Sequence, residues 1–437
     1  MFFTMRKKSV LALLLALMMI LSGCALVTKD EEKDNARVII DVNGETITKQ
    51  IVTSAVQNQI SQNQYYNQLF ANSGYSMSWP TDEATVTSQV IDAYTENLVL
   101  KQKAYAMGMN EMTDEEKAHA EEHAKEYYDS FLKSVISAYL SNSELEGDEL
   151  NAAAEKYVAE NDIKTADGRS TYADFLQSAM DEEAVEKLEA DIVKDVTVSE
   201  EEIKAEFDAK VESAKAELET KPDSYGYAVM NNTVVYYAPA GYRMVKQILI
   251  GVSDEDSKAA DEAKAALTEA QNALTNAAED ADKDALQAAV DAAQAAYDEA
   301  KAAGMANAKA KADEVYALAT AEGADFDALV AEYNTDTGMP SAGYAVREGF
   351  AYFVDTFVNG AMALQNVGDV SEPVESSYGY HIIQYAADVQ EGPVDLETVR
   401  DGISDSLLTA KKNELTETTI QQWKDEANVK TYLDRLK

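Results

Sequence analysis

Apolar residues in this chain follow two rhythms, and the switches between them mark its elements. Val38, Ile39, Ile40 and Val42 form a short apolar run, Asn43-Gly44 is a turn signal, and Glu45 to Thr48 is a second run. This pattern predicts a β-hairpin that leaves Thr48 as the N-cap of a helix. The helix continues through Gln57 to Gln68, rich in Gln, Asn and Tyr, and a loop follows around Gly74 and Trp79-Pro80. Val90, Tyr94, Asn97 or Leu98, and Lys101 share one face at helical spacing, so the next helix ends near Gly108. Thr113-Asp114-Glu115-Glu116 and Ser199-Glu200-Glu201-Glu202 each set a hydroxyl three residues before a glutamate, the signature of a capping box.

The second half alternates differently. Tyr242 to Ile250 reads as a strand, Ala308 to Ala321 and Ala324 to Val330 as two helices split by Gly323, and Gly379 to Ile383 as a strand after a turn. Between the first strand and the first of those helices, Ser253 to Gly304 is dominated by Ala, Asp, Glu and Lys. Ala263, Leu267, Ala270, Leu274 and Ala277 are spaced 4-3-4-3, and Leu286, Val290, Ala293, Tyr297 and Ala300 repeat that spacing after an acidic turn. Two such seams predict an antiparallel coiled-coil hairpin with arms of roughly 30 Å. It serves either as a passive spacer or as a guide for substrate. Leu396 to Lys437, with Val399, Ile403, Leu407, Ile420 and Trp423, reads as a helical tail. Long helical runs without repeated βαβ units argue against a two-lobed solute-binding fold.

The N-terminus alters the compartment. Arg6, Lys7 and Lys8 precede an apolar run from Val10 to Leu21 that is short for a membrane span, and Leu21-Ser22-Gly23-Cys24 follows. This resembles a bacterial lipobox. The resemblance implies a signal over residues 1–23, acylation of Cys24 with anchoring at the outer face of the cytoplasmic membrane, and a polar tether over 24–35. Cys24 is the chain's 1 cysteine, which excludes an intramolecular disulfide and a thiolate metal site. With 37 basic and 79 acidic side chains and a net charge of −42, the chain is not expected to bind nucleic acid or an anionic lipid face.

Gly368-Asp369-Val370-Ser371-Glu372-Pro373-Val374, followed by Ser376-Ser377-Tyr378-Gly379-Tyr380-His381-Ile382-Ile383, carries one of 3 histidines. The string resembles the last strand of parvulin-type peptidyl-prolyl isomerases, whose order of strand, helices and closing hairpin is also present. Val42-Asn43-Gly44-Glu45, a Leu-containing helix, then Gly108 and Thr113-Asp114-Glu115-Glu116 resemble the helical N-terminal region of the SurA and PrsA foldases. Together these imply an α+β fold: a helical SurA-like chaperone module at 36–239, a parvulin domain at 240–389 with the coiled-coil hairpin inserted at 253–304, and a C-terminal segment at 390–437 packing on the N-terminal module.

Turning a prolyl bond means crossing a barrier of ~18–20 kcal/mol without covalent chemistry. A catalyst needs an apolar pocket for the ring and a few fixed polar groups that favour the twisted amide. The resemblance carries those roles onto Asp336, Gln247, Ser376 and His381 as the polar set, and onto Phe353, Phe357, Met362 and Tyr378 as the substrate-binding set. Two departures stand out. Gln247-Ile248-Leu249 replaces His-Ile-Leu, and Pro340-Ser341-Ala342-Gly343-Tyr344 replaces a glycine-rich turn. Glutamine donates and accepts at once, as a neutral imidazole does, but does not titrate.

The function implied is that of an extracytoplasmic foldase acting on unfolded or secreted chains with X-Pro bonds, needing no cofactor. The alternative is a holdase that binds without isomerising. Whether it pairs with a second copy stays open. His119-Ala120-Glu121-Glu122-His123 formally matches a zinc motif, but its helix is acidic on all sides, so both histidines are read as surface residues and no metal is expected.

Overall fold

The computed structural model describes residues 29–73, 78–165, 167–279 and 281–437; the expected signal and the lipobox-like run with Cys24 lie outside these residues. Two compact units result, one of residues 1–197 and 408–437, the other of 198–407.

In the first unit, a short helix α1 (Lys29–Asn35) precedes the hairpin β1 (Val38–Val42) and β2 (Glu45–Thr48). Asn43 and Gly44 both have positive φ, 52° and 95°, as a two-residue hairpin turn matching strand twist requires. Thr48 occupies the N-cap position of α2 (Lys49–Asn72), but its side chain makes no capping bond there. The helices α3 (Glu83–Ala106), α4 (Asp114–Tyr139), α5 (Gly147–Asn161) and α6 (Tyr172–Val193) follow. Thr113 caps α4 with both arms of the capping box in place. Ile39, Ile40, Val42, Val52, Val86 and Val90 form one core cluster, while Phe131, Leu132, Val135 and Phe175 form another under α4 to α6.

The tail departs from an all-helical reading. After α13 (Leu396–Glu426), the chain turns into β9 (Val429–Thr431), which pairs antiparallel with β1. A brief 3-10 turn, Leu433–Leu436, ends it.

One buried carboxyl in this unit titrates out of range. Glu182 on α6 has Oε1 buried without a hydrogen-bond partner, and desolvation raises its pKa to about 7, with Arg169 opposing. A raised folded pKa means stability present below the unfolded value and lost as pH rises through the folded one. Glu182→Gln is therefore expected to raise the melting temperature at pH 8, where the native carboxylate is charged, and to leave it nearly unchanged at pH 5. Equal effects at both pH values would contradict this.

The second unit begins with α7 (Glu200–Thr220), capped by the Ser199–Glu202 box, and the short α8 (Ser224–Met230). A two-residue pair joins β3 (Tyr237–Ala238) to β8 (Gly392–Pro393). Its main sheet has the antiparallel order β5-β4-β7-β6, built from β4 (Arg243–Ile250), β5 (Tyr344–Val346), β6 (Val374–Ser376) and β7 (Gly379–Asp388). Both faces are covered. Ile248, Ile250, Tyr380 and Ile382 pack against Ala308, Ala312 and Val315, while Val245 and Ile383 pack with Phe357, Val358 and Ala361 of α12 (Asp355–Ala363).

The inserted hairpin is α9 (Asp254–Thr275) against α10 (Lys283–Ala319). Gly304 does not divide it from the helix that covers the sheet; α10 runs through without a break. The reason is space: a Cβ on Gly304 would lie 2.9 Å from Val252 Cγ1 and 3.1 Å from Asp256 Cβ, so glycine lets the start of α9 approach. Gly323, with φ 79°, does end a helical stretch before α11 (Phe326–Tyr333).

Candidate active site

Strand alternation sets the site. Leu249 pairs with His381 and Gln247 with Ile383, so Gln247 and His381 are diagonal neighbours on the α12 face of the sheet. Both are 4% exposed. Gln247 Oε1 lies 2.6 Å from His381 Nδ1, and its Nε2 donates to Asp336 Oδ2 at 2.6 Å. An amide oxygen only accepts, which puts the imidazole proton on Nδ1. His381 Nε2 is then free to accept from the Ser376 hydroxyl at 2.7 Å. The four residues form one directed chain: Ser376 to His381 to Gln247 to Asp336.

Burial lowers the His381 pKa to about 4, with the Asp336 charge opposing, so the ring is neutral at pH 7. Asp336 is held from several sides. Gly338 N donates to Oδ1 at 3.0 Å and Tyr344 OH to Oδ2 at 2.8 Å. Asn334 Oδ1 accepts from Leu249 N at 2.8 Å and Thr335 N donates to Leu249 O at 2.9 Å, which clamps the Asp336 segment to the end of β4. Tyr344 was not among the residues singled out from the sequence. Its pairing with Val245 across β4 and β5 would have been the signal, since that register aims it beside Gln247.

The apolar wall adjoins this chain. The Phe357 ring lies 5.3 Å from His381, Phe353 5.0 Å from Phe357, and Tyr344 4.7 Å from Phe353. Met362 is half-buried in the same cluster with Met339, Leu364 and Val374. Tyr378, in the turn between β6 and β7, is 63% exposed, and its backbone N–H donates to Ser376 Oγ at 3.0 Å. Thus Asp336, Gln247, His381, Ser376, Phe353, Phe357 and Met362 converge, while Tyr378 reaches the site through its backbone.

The turn into β7 is constrained by Gly379. Its φ of 128° and a virtual Cβ only 2.2 Å from Ile250 O leave no room for any side chain. Elsewhere, His119 Nδ1 lies 2.9 Å from Glu183 Oε2 in the first unit, and its ring is 4.3 Å from His123. Among the described residues, no cluster of three or more His, Cys, Asp or Glu is arranged to hold a metal.

A strained glycine turn feeds a buried histidine that is hydrogen-bonded toward an aspartate and flanked by a phenylalanine wall, the arrangement expected from the resemblance to parvulin-type isomerases. Residues 294–387 match the rotamase family model, the PPIC-type peptidyl-prolyl isomerase domain. The matched span holds Asp336, His381 and the aromatic wall, whereas Gln247 lies upstream of it, before the hairpin. Part of the chain is also similar to PrsA foldases. It is 32% identical over 111 residues to foldase protein PrsA of Clostridium botulinum, covering 25% of this chain and 33% of that protein. It is 36% identical over 113 residues to PrsA of Clostridium kluyveri, covering 25% and 32%. The match thus spans about a third of these relatives. A crystal structure of PrsA from Bacillus subtilis aligns over 89% of this chain and 92% of that one at 16% identity, with a TM-score of 0.20 that is too low to carry an argument.

Proposed function

We propose that this chain is an extracytoplasmic foldase that isomerises X-Pro bonds with the Ser376–His381–Gln247–Asp336 chain and the Phe353–Phe357–Met362 wall. The observation that carries this reading is the unbroken hydrogen-bond order in which Gln247 substitutes for a histidine. A twisted prolyl amide loses resonance, its carbonyl becomes more ketone-like and its nitrogen more basic. Fixed donors and a dry apolar wall stabilise that state more than the planar one, and no proton need leave the network. Measuring cis-to-trans exchange of an Ala-Pro peptide with the full chain tests it; no acceleration over buffer, with peptide binding retained, would favour the holdase reading.

In this picture Cys24 carries the lipid anchor and residues 24–35 the tether, supported by the lipobox-like sequence. No described helix is long and apolar enough to cross a membrane. The first unit would hold unfolded segments at exposed apolar positions such as Tyr65 and Leu69 on α2, beside Tyr66 and Phe70, which cover Trp79 with ring separations of 5.9 and 5.4 Å.

The polar chain also fixes a pH dependence. His381 titrates near 4 and Gln247 does not titrate, so kcat/KM is expected to stay flat from pH 5.5 to 8.5. For stability the sign is the reverse of that for Glu182. A histidine whose folded pKa is lowered from 6.5 to about 4 takes up its proton on unfolding, so this contribution is lost as pH falls from 6.5 to 4. A bell-shaped rate profile centred near 6.5 would refute the assignment of His381 as a buried neutral ring.

A further inference from the structure

The aromatic wall does not stop at Phe353. Tyr352 meets Phe353 edge-on at 5.0 Å and 90°, and Tyr227 of α8 meets Tyr352 at 5.7 Å and 85°. The rings therefore run in contact from His381 through Phe357 and Phe353 to Tyr352 and Tyr227. Burial changes along this line: Phe357 is enclosed, but Tyr352 is 54% and Tyr227 39% exposed. Each Tyr hydroxyl lacks a protein hydrogen bond among the described residues.

The helix that carries Tyr227 is fastened to the domain. A Cβ on Gly226 would meet the Phe350 ring at 2.6 Å, so glycine lets α8 lie directly on that buried ring. Arg347 Nε donates to Asp223 Oδ1 at 2.8 Å, and Tyr242 OH donates to Pro222 O at 3.0 Å. Three residues beyond Tyr227, one helical turn away, Met230 joins the cluster of Phe353, Phe357 and Met362. Yet α8 lies outside the span that matches the rotamase model.

Resting on the isomerase reading above, we infer that Tyr352 and Tyr227 form a second subsite continuous with the prolyl pocket, which receives an aromatic side chain of the client near its proline. Two half-exposed rings held edge-to-face leave flat surfaces on which a third ring can stack, with phenol groups available to the client backbone. Charge restricts the flank. Arg347 is neutralised by Asp223, whereas Glu348 on the same loop and Asp355 at the start of α12 are exposed, so the subsite disfavours acidic neighbours.

The test uses the full chain and paired peptides in which a residue two positions before or after the proline is Phe, Ala or Glu. In one of the two placements, the ratio of Phe to Ala in kcat/KM is expected to be about threefold to tenfold, from the typical strength of an aromatic pair. The ratio should fall toward one in Tyr352→Ala and in Tyr227→Ala, with the Glu peptide poorest in the parent chain. A ratio unchanged in both variants, their melting temperatures matching the parent, overturns the subsite. Should no peptide be accelerated, the isomerase reading fails first. The same peptides titrated by fluorescence then decide the subsite alone: tighter binding of Phe, lost in both variants, supports it, and equal binding refutes it. Concentration-dependent self-association abolished by Tyr352→Ala would instead assign the patch to a second copy and also refute it.

Discussion

His381→Ala is expected to lower kcat/KM toward prolyl peptides about tenfold to a hundredfold, while Gln247→His preserves or raises it. Removing the imidazole leaves the Gln247 amide oxygen and the Ser376 hydroxyl facing a void beside Phe357. An unsatisfied buried polar group costs ~1–3 kcal/mol, and that order of loss in the activated state gives the stated range. Gln247→His keeps a neutral ring able to donate to Asp336 and accept from His381. Steady-state exchange rates with the full chain, alongside melting curves, measure both. If Gln247→His is inactive while still folded, the amide is not standing in for a ring and the proposed order of donors is wrong.

Gly379→Ala is expected to be strongly damaging to the second unit. The residue sits at φ 128° and its added carbon would lie 2.2 Å from Ile250 O and 2.9 Å from Gly251 Cα. Relief requires parting β4 from β7 at the Ile250–Tyr380 pair, next to the pair that holds His381, which opens the end of the central ladder of the sheet. The strain class costs of order 1–3 kcal/mol and the steric clash adds to it. For a unit of this size, a fall in melting temperature of roughly 6 °C or more follows. Calorimetry showing no shift in either unit would mean that the turn relaxes freely.

Much of this was legible in the chain, for identifiable reasons. Capping boxes at Thr113 and Ser199, the Asn43-Gly44 turn and the heptad-like seams of the hairpin are local signals, and local chemistry decides them. The pocket phenylalanines, Asp336 and His381 were marked by the parvulin-like strings that carry them. Orientation was harder. Gln247 lies in Val245 to Ile250, a stretch covered on both faces, so its burial pattern gives no clean alternation from which to read a side. The helix α8 is seven residues long with Gly226 inside it, too short to show a period. The strand β9 follows a long helix directly, and its partner β1 lies at the other end of the chain, a pairing that no local signal announces. Continuity of α10 through Gly304 depended on a close approach that glycine permits.

The pairing of β1 with β9 has a consequence for the order of folding. The second unit is a single continuous stretch, complete once residue 407 has emerged, whereas the first draws its third strand from residues 429–431. A chain delivered from its N-terminus can therefore finish the second unit before the first. Until the last ten residues arrive, β1 presents an unpaired edge, able to hold an extended segment of another chain in the place its own C-terminus later takes.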